Sequence, residues 1–156
     1  MGKCEIKIEK AGSDLKVKVA GIIDEDMDFT AFSLSGATNV ELHLENVKGI
    51  NSCGIREWIK WISTASKAKV SYYECPKIIV DQINMIQGFL PASAKVMSFF
   101  VPYFCEKSGE EKNILFTFGK EYSENAVTAP KEVQDSSGNA MEMDVVESKY
   151  FKFIKK

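Results

Sequence analysis

The sequence predicts an α/β fold: a mixed β-sheet with helices packed on one face, plus a small C-terminal β-hairpin and helix module. Three observations predict it. Short runs of alternating apolar residues are interleaved with two stretches of helical periodicity, and the first two runs are joined by a tight turn. The stretch Val40 to Ile62 leads from a strand through a short polar bend into a helix. Beyond residue 103 the composition shifts to Ser, Gly, Glu and Lys, which divides the chain into a domain at 1–103 and a module at 104–156.

Taken in order, residues 4–9 and 14–20 alternate as two strands about the turn Ala11-Gly12-Ser13, with Ile6, Ile8, Leu15, Val17 and Val19 on a shared face. The acidic run Asp24-Glu25-Asp26 lacks the spacing, glycine and closing glutamate of a calcium loop, so it reads as solvated. Phe29, Phe32 and Leu34 bring a short helical segment onto the sheet. Val40, Leu42 and Leu44 then alternate with Glu41, His43 and Glu45, and Ile55, Trp58, Ile59 and Ile62 form one helical face. Residues 69–75 form the next strand, Pro76 opens a second helix with Ile79, Ile83 and Ile86 inward, and Gly88 stops it. A last strand at 97–103 completes the sheet. Tyr72-Tyr73 and Phe99-Phe100 each send one aromatic ring to each face, so the face without helices is expected to need a cover.

Composition limits the possible functions. With 156 residues, 45% hydrophobic and 27% charged, the chain can bury a core of ordinary size. A net charge of -2 without a basic, aromatic-interleaved run argues against nucleic acid as a partner. The N-terminal MGKCEIKIEKAG has no apolar core for a signal peptide, and no stretch is long enough to cross a membrane, so a cytoplasmic location is expected. Ile6 stands where an N-myristoylation motif at Gly2 would need Ser or Thr. Cys4, Cys53, Cys75 and Cys105 are widely spaced and read as reduced thiols, and of these only Cys53 lies where reactivity would be expected. One histidine, His43, makes neither a catalytic pair nor a metal site, and no cofactor is expected.

The bend carries the most information. Ser52 is the predicted N-cap, and Gly54 allows a close backbone approach. Asn51-Ser52-Cys53-Gly54 between an apolar strand and an aliphatic helix resembles the signature of the STAS domain, the family of bacterial anti-sigma-factor antagonists, whose loop usually reads D-S-S-G or D-S-T-G. The resemblance covers roughly the first two thirds of the chain. In regulated members of that family a kinase phosphorylates the second hydroxyl residue; here Cys53 occupies that place and Asn51 that of the aspartate. The resemblance implies a non-catalytic protein-interaction module in signalling, binding through Asn51, Ser52, Cys53, Gly54, Arg56, Glu57 and Lys60. Its partner would be a kinase, an anti-sigma factor or another signalling protein, with homodimerisation open. Ser52 remains a possible phosphorylation site. Two alternatives stay open: a small ligand such as a nucleotide or lipid bound near the loop, and a thiol-based redox sensor using Cys53.

In the C-terminal third, residues 113–118 read as a strand, Gly138-Asn139 as a turn, and Asp144 with Glu147 as a capping box for a helix burying Val146, Tyr150 and Phe153. Cys105-Glu106-Lys107-Ser108 before Gly109, and Gln134-Asp135-Ser136-Ser137 before Gly138, resemble the two knuckles of a zinc ribbon that has lost three of its four cysteines. A ribbon-like hairpin without metal is the resulting expectation, beside the alternative of two unrelated turns.

Overall fold

The computed structural model describes residues 4–154; Gly2, and with it the myristoylation question, lies outside them. The alternation at the N-terminus produces β1 (Glu5–Ala11) and β2 (Asp14–Ile23), an antiparallel hairpin. β3 (Asn39–Ile50), β4 (Lys69–Tyr73) and β5 (Lys95–Val96) follow in parallel, giving a five-stranded mixed sheet in the order β1-β2-β3-β4-β5. α1 (Ser52–Ser63) connects β3 to β4, and α2 (Lys77–Met85) connects β4 to β5. The segment at Phe29 is a single 3-10 turn, Phe29–Ala31, capped by the Asp28 side chain.

Register explains which face the helices cover. Ile8 pairs with Val17, Val17 with Leu42, Leu42 with Tyr72 and Tyr72 with Val96, so one apolar row crosses the whole sheet. Trp58 of α1 is fully buried against this side. Its indole N–H donates to the Tyr72 hydroxyl at 3.1 Å, and that hydroxyl donates to the Phe89 carbonyl at 2.5 Å. A buried hydrogen-bonded relay therefore runs from helix to sheet to the loop after α2, and burial pushes the Tyr72 phenol far above its ordinary range.

The adjacent row, Lys7, Lys18, His43 and Tyr73, points the other way. This corrects the expectation of an apolar second face. Tyr72 and Tyr73 do split between faces, yet the outward row is charged: Lys16 and Lys18 are exposed, and His43 lies between Glu41 at 3.1 Å and Glu74 at 3.4 Å while stacking on Tyr73. Such a surface is stable in water without a cover.

The strand expected at 97–103 belongs elsewhere. The first sheet ends with the two residues of β5, and β6 (Ser98–Phe104) is the central strand of a second, antiparallel sheet ordered β7-β6-β8, with β7 (Glu111–Thr117) and β8 (Glu142–Met143). The cause is a bend at the end of β4: Glu74 adopts φ 55°, and Cys75 then forms only an isolated bridge to Phe99 before the chains diverge. Phe99 is completely buried, with the rings of Phe116, Tyr122, Tyr150, Phe151 and Phe153 all within 6.1 Å.

Helix ends also differ from expectation. Pro76 is the cap of α2 rather than its first residue, and the helix stops at Met85 with Ile86 as its C-cap, before Gly88. The final helix, α3 (Glu147–Tyr150), has Val146 at its N-cap and no side-chain cap. Asp144 is drawn away because its amide donates to the Pro102 carbonyl of β6 at 2.8 Å, so the capping box does not form. Val146 is consequently 61% exposed, while Tyr150 and Phe151 are buried.

Replacing Tyr72 with Phe strands both the Trp58 N–H and the Phe89 carbonyl in the core. Urea unfolding of Tyr72→Phe should show a loss of about 2 kcal/mol or more, because each buried orphan group costs about 1–3 kcal/mol; an unchanged midpoint would show that the relay contributes nothing.

Candidate functional site

The bend between β3 and α1 is fixed by Asn51, which is the N-cap in place of the predicted Ser52. Its backbone is extended, at φ -105° and ψ 179°, and its side-chain oxygen accepts from the Gly54 amide at 2.8 Å. The same carboxamide donates through Nδ2 to Glu25 Oε2 at 2.8 Å. Its main chain is held as well, since the amide donates to the Ile23 carbonyl at 3.1 Å and the carbonyl accepts from Ile55 at 2.8 Å. Ser is an equally good cap by chemistry; what the Asn51 carboxamide adds is reach, accepting from the helix through its oxygen and donating to the Glu25 carboxylate through a separate nitrogen. Asn51 therefore ties α1 to the loop after β2.

Gly54 is needed for the second tie. It is buried, and a Cβ built there would lie 2.2 Å from the Ile23 carbonyl oxygen and 2.7 Å from its carbon. Backbone is in contact with backbone, so no side chain can move to make room. The first turn of α1 is seated directly on the end of β2, and the bend is held from beneath.

Its outer side remains accessible. Asn51, Ser52, Arg56 and Lys60 are exposed, and Cys53 and Glu57 are half-buried. Because Asn51 serves as the cap, the Ser52 hydroxyl makes no side-chain hydrogen bond among the described residues. Arg56 Nη2 donates to Cys53 Sγ at 3.6 Å, and Lys60 pairs with Glu57 at 3.4 Å. The predicted residues thus divide into two groups: Asn51 and Gly54 hold the bend, while Ser52, Cys53, Arg56, Glu57 and Lys60 form its outer surface. Glu57 and Lys60 also line a hollow of about 300 Å³ between the 3-10 turn and α1, floored by Phe29 and Trp61, whose rings stack at 4.6 Å. A larger groove, about 580 Å³, lies away from the bend between α2 and the C-terminal segment, where Met85 is exposed.

Sequence reasoning missed Glu25. It lies in the acidic run expected to be merely solvated, and the Asn51 amide beside it, together with its own main chain, lowers its carboxyl below the ordinary glutamate range. Among the described residues no three His, Cys, Asp or Glu side chains are grouped to hold a metal. The thiols are free. Cys4 is half-buried; burial, then the Asp24 and Glu5 carboxylates, push it up to about 11, and burial drives Cys75 higher still. No helix among the described residues is long and apolar enough to cross a membrane.

Two substitutions test this geometry. Gly54→Ala should destabilise the protein by about 3 kcal/mol or more, as an overpacked backbone contact with no room to relax; thermal or urea unfolding close to wild type would refute the contact. Asn51→Asp keeps the cap but sets a second carboxylate against Glu25, so the Glu25 pKa should rise toward or above its ordinary value of about 4.3. Its carboxyl resonance followed by NMR against pH checks this. With Glu25 depressed in the native protein, the Asn51 bond adds stability above the unfolded carboxylate pKa and loses it as pH falls, a dependence that Asn51→Asp should remove or invert.

No protein-family model matches the chain, and no curated protein matches it.

Proposed function

We propose that this chain is a non-catalytic, STAS-like docking module of bacterial signalling that binds a partner protein through the bend and the outer side of α1. One observation carries the reading: the bend is held rigidly from below by Asn51 and Gly54, yet its outward side chains are accessible and mostly free of structural duties. Residues that present a fixed charged surface without maintaining the fold are suited to recognition, since little ordering cost falls on the partner's arrival. Ser52, Cys53, Arg56, Glu57 and Lys60 supply that surface, with the hollow over Phe29 and Trp61 beside it.

The uncommitted hydroxyl of Ser52 supports a second element, modification by phosphate. At the first position of α1, a phosphate gains from the helix amides and lies four residues before Arg56, although the Glu25 carboxylate bound to Asn51 opposes it. Small-ligand binding has less support, because no glycine-rich cradle lines either hollow. A redox role for Cys53 is likewise a lesser reading, resting on the one contact with Arg56.

The test is quantitative capture from the native cell, with mass spectrometry reading both the bound proteins and Ser52. Arg56→Glu/Lys60→Glu should lose a specific partner about tenfold or more, as expected when charge complementarity is reversed at an interface. Lys16→Glu/Lys18→Glu, on the open sheet face, should retain it. Equal retention by the two variants would overturn the assignment of the surface.

A further inference from the structure

We infer that the second sheet is closed by a metal-free clasp in which the Asp135 carboxylate joins the two Ser- and Gly-containing turns, and that this clasp holds the C-terminal strap over Phe99. The turn at 105–109 closes with the Gly109 amide donating to the Cys105 carbonyl at 2.8 Å, and the turn at 135–139 with the Asp135 amide donating to the Asn139 carbonyl at 2.9 Å. Gly138 has φ 83°, a conformation that suits glycine in such a tight reversal. Far apart in sequence, the turns meet at one side chain.

Asp135 is 6% exposed, one of two polar residues so enclosed among the described residues. One carboxylate oxygen accepts from the amides of Ser137 at 2.9 Å and Asn139 at 2.8 Å. The other accepts from the Ser108 hydroxyl at 2.5 Å and the Asn139 side chain at 3.1 Å. Every group converging here is a donor aimed at an acceptor. A cation requires the opposite polarity, lone pairs aimed inward, so the site is built around an anion rather than around a metal.

A second grip lies beside the first. Glu110 accepts from the Ser136 amide at 3.1 Å and from its hydroxyl at 2.7 Å, while Lys112 donates to the Gln134 carbonyl at 2.7 Å and lies 3.8 Å from Glu110. Ser108 from the 105–109 turn, Glu110 just before β7 and Lys112 within β7 thus hold the 134–137 turn through three contacts. The side chain that meets Ser108 is that of Asp135, while Gln134, at one of the positions that the zinc-ribbon resemblance singles out, contributes only its main-chain carbonyl to the join.

From the clasp onward the C-terminal strap is held in place. Met141 donates its amide to the Val133 carbonyl at 2.8 Å, β8 then pairs with β6, and the chain ends by placing Tyr150, Phe151 and Phe153 around Phe99. Hydrogen bonding holds both the Asp135 and Glu110 carboxyls below the usual carboxylate range. The clasp's contribution to stability is therefore complete above the unfolded carboxylate pKa of about 4, and it is lost progressively as pH falls from there through the lower folded values.

Amide hydrogen exchange and metal content test the clasp together, on full-length protein from zinc-supplemented growth medium. Asp135→Asn turns one of the two accepting oxygens into a donor and removes the charge, and should speed exchange at Ser137 and Asn139 by about tenfold or more while Leu42 and Leu44 in the first sheet stay protected. Ser108→Ala, which deletes a single donor and keeps the test open should Asp135→Asn fail to fold, should speed the same amides by a smaller factor. The wild type should carry no zinc and keep its melting temperature in a strong chelator. One equivalent of bound zinc, a chelator-induced loss of protection, or unchanged exchange in Ser108→Ala would each overturn the proposal.

Discussion

The close approach of the Gly54 backbone to the Ile23 carbonyl, which leaves no room for a side chain, fixes where α1 starts on the sheet. A helix that begins on the end of a neighbouring strand has its starting point fixed in space, and Asn51 fixes its direction by bonding Gly54 on one side and Glu25 on the other. Once the first turn is placed, the apolar face of α1 falls on the row made by Val17, Leu42 and Tyr72, and Trp58 reaches the Tyr72 hydroxyl. The opposite face is left to solvent with its charges intact. Asn51 and Gly54 thus hold the bend, while Ser52 and Cys53 between them and Arg56, Glu57 and Lys60 beyond form its outer surface.

Much of the first sheet is legible because burial imposes a period on sequence. Val40, Leu42 and Leu44 are all fully buried, as their alternation with Glu41, His43 and Glu45 requires, and Trp58 and Ile62 are buried as the helical spacing requires. That same period hides where a chain leaves one sheet for another. Val96, Ser98 and Val101 are buried on both sides of the crossing, and nothing local marks the exit after Val96; the marker is the left-handed Glu74 just past the end of β4. The outer sheet face departs from expectation for a related reason. Adjacent tyrosines do divide between faces, but a half-buried Tyr73 stacked on His43 is stable among lysines and glutamates.

At the candidate site, sequence locates the bend and not its wiring. Ser52 and Asn51 are both favourable caps, and the choice between them is made by Glu25, which lies twenty-six positions earlier in the chain than Asn51. In the C-terminal module the two turns are visible as serine- and glycine-containing motifs, whereas the acid that joins them is not, since aspartate in a turn ordinarily faces water. Long-range polar contacts of this kind have no period and no local composition, so only coordinates reveal them. In both places a carboxylate distant in sequence is bonded to a residue of a turn.

If the bend and α1 are the contact surface of a protein partner, binding must shield them and leave the rest of the molecule open. Hydrogen–deuterium exchange on the module, free and saturated with the partner it captures, reads this directly. Protection on binding should be confined to the amides from Ser52 to Lys60 and to the adjoining 3-10 turn. Protection centred instead on the charged sheet face around Lys18 and His43, or in the groove between α2 and the C-terminal segment, would contradict it.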